Sequence, residues 1–298
     1  MIVRLNGDDP MLEEGFVLAH EPLLRISSFA AVFIAVGLWE LAAPRRASAL
    51  PRRQRWPANL ALAALNTLVL RALVPLAAVG MATFAAHKGW GFLNHFDVPG
   101  WALLPLSIIA LDLAVWLQHV MFHAVPALWR LHRVHHADLD IDLTTGARFH
   151  PIEMVLSALV KLAVVALIGA PVAAVVFFEV LLSATALFSH ANINVPPRIE
   201  RWLRWIVVTP DMHRVHHSIE DDETNSNFGF NLPWWDRLFG TYRAQPRAGH
   251  EGMIIGIHGH TDPLEVSHLG GMLLLPFRGE VGGYTINRRD WPSKQATR

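Results

Sequence analysis

From Ile152 to Ser189 the chain is almost continuously apolar. A membrane-spanning helix needs ~20 mostly apolar residues, so this run is far too long for one crossing. Gly169-Ala170-Pro171 divides it into halves of about 18 residues, each just sufficient to cross. The run therefore reads as a helical hairpin. Three further stretches approach the same length: about Leu23 to Ala43, stopped by Pro44; a segment within Leu60 to Ala86; and Trp101 to about Val120. The composition agrees, since 52% hydrophobic residues with 17% charged and a mean hydropathy of +0.31 is too apolar for an ordinary soluble protein. The predicted fold is all-α, an integral membrane helical bundle of four to five spans with a cytosolic, histidine-rich helical cap. The expected divisions are N-terminal spans over residues 1–100, a catalytic region over 101–245 and a C-terminal cytosolic tail over 246–298.

Orientation follows from Lys and Arg in the short connections. Arg45, Arg46, Arg52, Arg53 and Arg55 crowd the first connection, whereas Ala86 to Gly100 carries only Lys88 and the hairpin turn none. The first connection is thus expected in the cytoplasm, and everything from His190 onward with it. Two residues strain this map. Arg71 falls inside the second stretch, where facing lipid would cost ~2.5 to 3.5 kcal/mol. Laying Trp56 to Leu70 along the interface, with only Arg71 to Ala86 crossing, relieves that cost. Asp112 lies in the middle of the third span, seven residues before His119 and so on the same helical face. It is the one ionisable residue expected deep in a span.

The chain has no cysteine, so disulfides, thiolate-bound metals and Cys nucleophiles are excluded, and any metal must sit on nitrogen or oxygen. Net charge is +0, with no basic run interleaved with aromatics, which argues against a nucleic-acid partner. The polar, acidic start MIVRLNGDDPMLEEG lacks the pattern of a cleaved targeting segment.

Ten of the 17 histidines fall in five short groups: His119 and His123 in HVMFH; His132, His135 and His136 in HRVHH; His150 in RFHPIE; His190 in SHANIN; His213, His216 and His217 in HRVHHS. Positions four apart stack on one helical face, so His119 with His123, His132 with His136, and His213 with His217 are each placed to grip one metal. His135 and His216 stand about 100° round and can reach a second ion. Imidazole suits Fe, Zn, Cu and Ni. Two metals on so many neutral nitrogens, without an obvious bridging Glu, suit O2 redox chemistry better than hydrolysis. All five groups also fall at or beyond the ends of spans expected in the cytoplasm. His258 and His260, in the polar tail, read as ordinary loop histidines.

His-x-x-x-His, then His-x-x-His-His, then a second His-x-x-His-His, with SHANI before the last and NFGFNLPWWDRLFGTY after it, resembles the fatty acid hydroxylase and sterol desaturase superfamily from about Asp112 to Tyr242. The resemblance implies a helical membrane domain whose cytosolic cap holds a histidine-bound pair of iron ions that activates O2 for hydroxylation, desaturation or ether cleavage. It carries a ligand role onto His119, His123, His132, His135, His136, His190, His213, His216 and His217. Hydroxylases with two His four apart in the third motif find Asn194 at the second place here, where it would hold a water on iron. His150 is open between coordination and packing at a helix start. Asp112, Glu153 and Asp236 are candidate carboxylates behind the ligands, accepting the far ring N–H; for Asp236 a surface ion pair with Arg237 or another Arg is the simpler reading.

The expected activity is O2-dependent oxidation of an unactivated carbon in a lipid-like substrate entering from the bilayer: sterol, fatty acyl chain, carotenoid or alkyl ether lipid. No G-x-G-x-x-G fingerprint is visible, so electrons are expected from a separate ferredoxin, cytochrome or reduced pterin. The competing class is a histidine-rich membrane metal transporter or metal-binding protein, whose signature would be ionisable residues in the middle of several spans.

Overall fold

The computed structural model describes residues 10–280; the first nine residues and the final stretch through Arg298, part of the polar start and of the expected tail, lie outside the described residues. Long helices carry the fold: α1 (Pro10–Ala42), α2 (Arg52–Leu73), α3 (Ala77–Lys88), α4 (Gly100–Ala124), α5 (Pro126–His136), α6 (Pro151–Ile168) and α7 (Val172–His190). Short ones follow: α8 (Pro197–Leu203), α9 (Pro210–His216), α10 (Asp221–Thr224), α11 (Trp234–Leu238), α12 (Gly249–Gly252), α13 (Pro263–Val266) and α14 (Leu269–Leu274). Among the described residues there is no strand, only the isolated bridges Pro44–Ile193 and Ser218–Ile255.

Five segments are long and apolar enough to cross a membrane: Ala19–Ala42, Arg52–Asn94, Gly100–Ala124, Pro151–Ile168 and Val172–His190. On the first of them Leu23, Ile26, Ile34, Leu38 and Leu41 are each 60% or more exposed, a lipid-facing surface rather than a solvated one. The chain is a multi-pass helical membrane protein. The hairpin turn falls where the sequence places it: Gly169 ends α6 with φ of +71°, and Pro171 precedes α7. Gly91 packs so closely on Gly169 that a Cβ there would meet its backbone nitrogen at 2.1 Å. Leu111, Val165 and Phe178 lead the core between α3, α4, α6 and α7.

The second segment differs from expectation in detail. α2 continues past Arg71 and breaks at Val74 to Leu76, where Pro75 has no N–H to offer. α3, with 12 residues, rises about 18 Å, well short of a ~30 Å hydrocarbon core. α2 buries a polar face instead, Arg55, Asn59 and Asn66 with Leu62. Arg55 donates to Asp138 at 2.7 and 2.8 Å and to Asp142 at 2.8 Å, and Asn59 to Thr144 at 3.0 Å, which bolts α2 to the loop after α5. Nor is Asp112 the only deep ionisable residue: Arg25, Lys161 and Glu179 also lie within spans, with Glu179 paired to both cations and Arg25 paired to Glu21 as well.

Candidate metal centre

Four elements meet at one end of the bundle. The last turns of α4 bring His119 and His123, and α7 ends on His190. α5 and α9 both start on proline at the first turn, where the missing N–H costs nothing. α5 carries His132 and His136 on one face and His135 round from it; α9 carries His213 and His216 and is followed by His217.

All nine side chains converge, in two groups. His119, His123, His132, His136 and His216 form one; His135, His190, His213 and His217 form the other. Each His-x-x-His-His motif gives two rings to one group and one ring to its neighbour. Nε2 atoms face each other across both groups: His119 to His132 at 3.0 Å, His119 to His216 at 3.1 Å, His135 to His190 at 3.1 Å, and His190 to His213 at 2.9 Å.

The outer nitrogens explain that orientation. Nδ1 of His119 lies 2.7 Å from the Phe228 carbonyl, that of His216 2.7 Å from Ser226 O, and that of His190 2.7 Å from Ala186 O. Carbonyls accept only, so each Nδ1 must carry the proton and each Nε2 presents a lone pair inward. His132 Nδ1 donates to Glu153 Oε1 at 2.7 Å. Facing lone pairs about 3 Å apart repel. With metal–nitrogen bonds of about 2.1 Å, two ligands at right angles stand about 3.0 Å apart, so a cation between them fits both the spacing and the lone pairs. Burial first, and neighbouring rings second, hold His132, His135, His136, His213 and His217 well below the ordinary histidine range; His216 is held down by burial and then His119. The rings stay neutral, as ligation requires. A nitrogen-only, thiolate-free donor set fits iron, as it fits zinc, copper or nickel.

Three sequence expectations, for Asn194, Asp236 and Asp112, need correction, and the open reading of His150 closes. Asn194 is exposed, and no side-chain contact links it to the cage: after the Pro44–Ile193 bridge the chain is extended, Ile193 and Val195 point in, and Asn194 points out. His150 resolves toward packing. Its Nδ1 accepts from the Ile152 N–H at 3.2 Å, capping α6, and its Nε2 donates to Leu273 O at 3.3 Å, so both nitrogens are used. Asp236 is fully buried rather than paired at the surface, while Arg237 stacks on Trp205 and Tyr242. Asp236 accepts from Trp116, Thr241 and the Phe228 and Gly229 amides, and so fixes the Phe228 carbonyl that orients His119. Asp112 likewise touches no histidine; it accepts from Asn231 and Trp235, at 2.8 Å each, and clamps the same segment onto α4. His258 and His260 stay outside the cage, His260 lying 3.2 Å from Glu265.

A fatty acid hydroxylase family model matches residues 104–241, the stretch that contains the nine histidines and the Asp112–Asp236 clamp. Over this stretch the resemblance to the fatty acid hydroxylase and sterol desaturase superfamily is borne out. The chain is 28% identical over 191 residues to an ornithine lipid hydroxylase of Rhizobium tropici, which covers 61% of this chain and 57% of that protein. It is 32% identical over 137 residues to the alkylglycerol monooxygenase of Xenopus tropicalis and 28% over 139 to that of Homo sapiens, covering 46% and 47% of this chain and 30% of each of those proteins. The chain thus spans about half, or less, of the curated relatives it matches. No solved structure matches.

Several supporting groups of the site left no sequence signal. The carbonyls of Phe228, Ser226 and Ala186 are backbone atoms, which no side-chain motif reports. Asn225, whose Oδ1 lies 3.2 Å from His123 Nδ1, could have been found from its place just after the last histidine motif. The tail is also part of the cap: Arg148 donates to Val266 O, and Arg133 to Leu275 O at 2.6 Å. Val266, Met272 and Leu275 pack on Trp129 and Val134 of α5. Beside the first histidine group a cavity of about 430 Å³ opens between α1, α2, α4, α6 and α7. His119, His132 and Phe230 close its inner end, and Leu111, Val115, Val164 and Phe178 are among its apolar walls.

Proposed function

We propose that this hydroxylase-family protein is a non-haem di-iron monooxygenase that uses O2 to oxidise a carbon of a lipid drawn from the bilayer. The observation that carries it is the pairing of two groups of buried, neutral imidazoles with an apolar cavity that ends on His119 and His132. His119, His123, His132, His136 and His216 would hold one iron, and His135, His190, His213 and His217 the other. Two irons held so would pass electrons to O2 and turn its oxidising power on an unactivated C–H bond. The chain's own groups orient and insulate. Glu153 and the Phe228, Ser226 and Ala186 carbonyls lock the ring tautomers, and Phe122, Phe149 and Phe230 keep water from the inner end of the cavity.

The arginines between Arg45 and Arg55 support a cytoplasmic position for the cage. Electrons then come from a cytoplasmic ferredoxin, cytochrome or reduced pterin. The ornithine lipid hydroxylase and alkylglycerol monooxygenase relatives support a polar lipid or alkyl ether lipid as substrate. The deciding experiment is metal analysis of the purified protein, followed by oxygen uptake and lipid product analysis with a reductase and carrier supplied. About two Fe per chain and O2-dependent lipid oxidation are expected. A single tightly held zinc, with no oxygen-dependent turnover, would overturn the reading in favour of a metal-binding or transport role.

A further inference from the structure

The cavity has a second, charged end. Glu153, Ser157 and Lys161 recur every four residues on α6 and so share one face, and all three line the cavity wall. At the end away from the histidines, Lys161 Nζ donates to Glu179 Oε1 at 2.6 Å, and Arg25 pairs with the same carboxylate. Lys161 and Glu179 each lie about 10 Å in from the α6–α7 turn, inside their spans. Ionisable groups at such depth are costly and mark function by default.

Glu179 is the more enclosed partner, its side chain 12% exposed against 27% for Lys161 and 32% for Arg25. Arg25 divides its guanidinium between Glu179 and Glu21, of which only Glu179 lines the cavity, and Lys161 has N–H donors to spare beyond the one it gives Glu179. Between this end and His132 the walls are mainly apolar, interrupted by Gln118, which donates to Ser157 at 2.8 Å, and by Glu153 beside His132. We infer that Arg25 and Lys161 form an anion subsite that takes the carboxylate or phosphate at the polar end of an amphiphile, with the chain running inward to the histidines. This inference rests on the oxygenase reading for its second consequence, which is positional. Eight residues of α6 separate Lys161 from Glu153, the partner of His132, or about 12 Å. An extended chain covers that in roughly eight to ten bonds, so oxidation falls near mid-chain, counted from the anion.

The test uses the full-length, metal-loaded protein in zwitterionic lipid nanodiscs. Radiolabelled stearate, stearyl phosphate and methyl stearate are compared as binding probes. One or both anions should bind at least about tenfold tighter than the ester in the wild type. Preference for stearate over stearyl phosphate names a carboxylate end, and the reverse a phosphate end. Lys161→Met should remove the preference while leaving ester binding and iron content in place, and Lys161→Arg should restore it. Equal binding of all three probes to the wild type overturns the subsite. So does a preference that survives both Lys161→Met and Arg25→Gln. Tight anion binding with no lipid oxidised would leave the subsite standing and sink the oxygenase reading. Oxidation indifferent to the anionic group would do the opposite.

Discussion

His136 and His217 lie ring on ring, centroids 4.6 Å apart and 21° from parallel, yet they belong to different metal groups. Neither ring has a hydrogen-bond partner on either nitrogen. They form the wall shared by the two sites, which ties the occupancy of one to the integrity of the other. His136→Ala should lower iron below one per chain rather than halve it, and His217→Ala should do the same, with turnover lost in both. His258→Ala and His260→Ala should leave iron and activity nearly intact. Metal analysis of the four purified variants checks this; a clean one-iron protein from either cage variant would show that the sites fill independently.

Glu153 makes the one carboxylate contact to a caged ring among the described residues. Glu153→Gln keeps the side chain's shape but weakens the hold on the His132 proton. Iron affinity or turnover should fall about 10 to 100-fold, as for other partners behind a ligand. A metal titration of the reconstituted variant measures it, and wild-type affinity would remove Glu153 from the centre.

Asn194 and His150 sit outside the cage for different reasons. Asn194→Ala should behave as wild type in iron content and turnover. His150→Ala removes the α6 cap and should cost about 0.5 to 2 kcal/mol of stability without loss of iron. Thermal melts beside metal assays separate the two; loss of one iron in either variant would reinstate it as a ligand.

Arg55 is buried with Asp138 and Asp142. Arg55→Met strands both carboxylates, and breaking a buried pair from one side typically costs about 3 to 5 kcal/mol. Denaturation in detergent should shift accordingly, and both groups, which each take rings from α5, should lose metal at lower denaturant than in the wild type. A shift of less than about 1 kcal/mol would mean that water reaches these acids.

His250 is buried 3.4 Å from Asp211. Burial lowers its pKa to about 4, with Asp211 opposing and Arg214, Arg45 and Arg204 adding to the fall. The folded protein thus keeps the ring neutral where the unfolded chain binds a proton. Its share of stability is full above about pH 6.5 and drains as pH falls toward 4, by up to about 1.4 kcal/mol per unit. His250→Gln should flatten the stability profile in that window. An unchanged slope would show that the ring is solvated.

The spans, the hairpin turn and the nine converging histidines were legible because each is written in a local period: about 20 apolar residues, or a spacing of three or four on a helix. What lay hidden depends on contacts between distant segments. Asp236 reads as a surface acid beside Arg237 until Trp116, 120 residues away, donates to it. Arg25, Lys161 and Glu179 pass as blemishes in apolar runs until folding joins them. Asn194 misled because a motif position carries no information on whether an extended chain turns that residue inward.

The tail strapped to Arg133 and Arg148 also sets an order of events during synthesis. His217, the last of the nine, leaves the ribosome about 60 residues before the segment near Leu275 that closes over α5. At ~5 to 20 residues per second that is roughly 3 to 12 s. The nascent cage therefore passes through a brief stage in which all nine histidines are present while α5 is still uncovered.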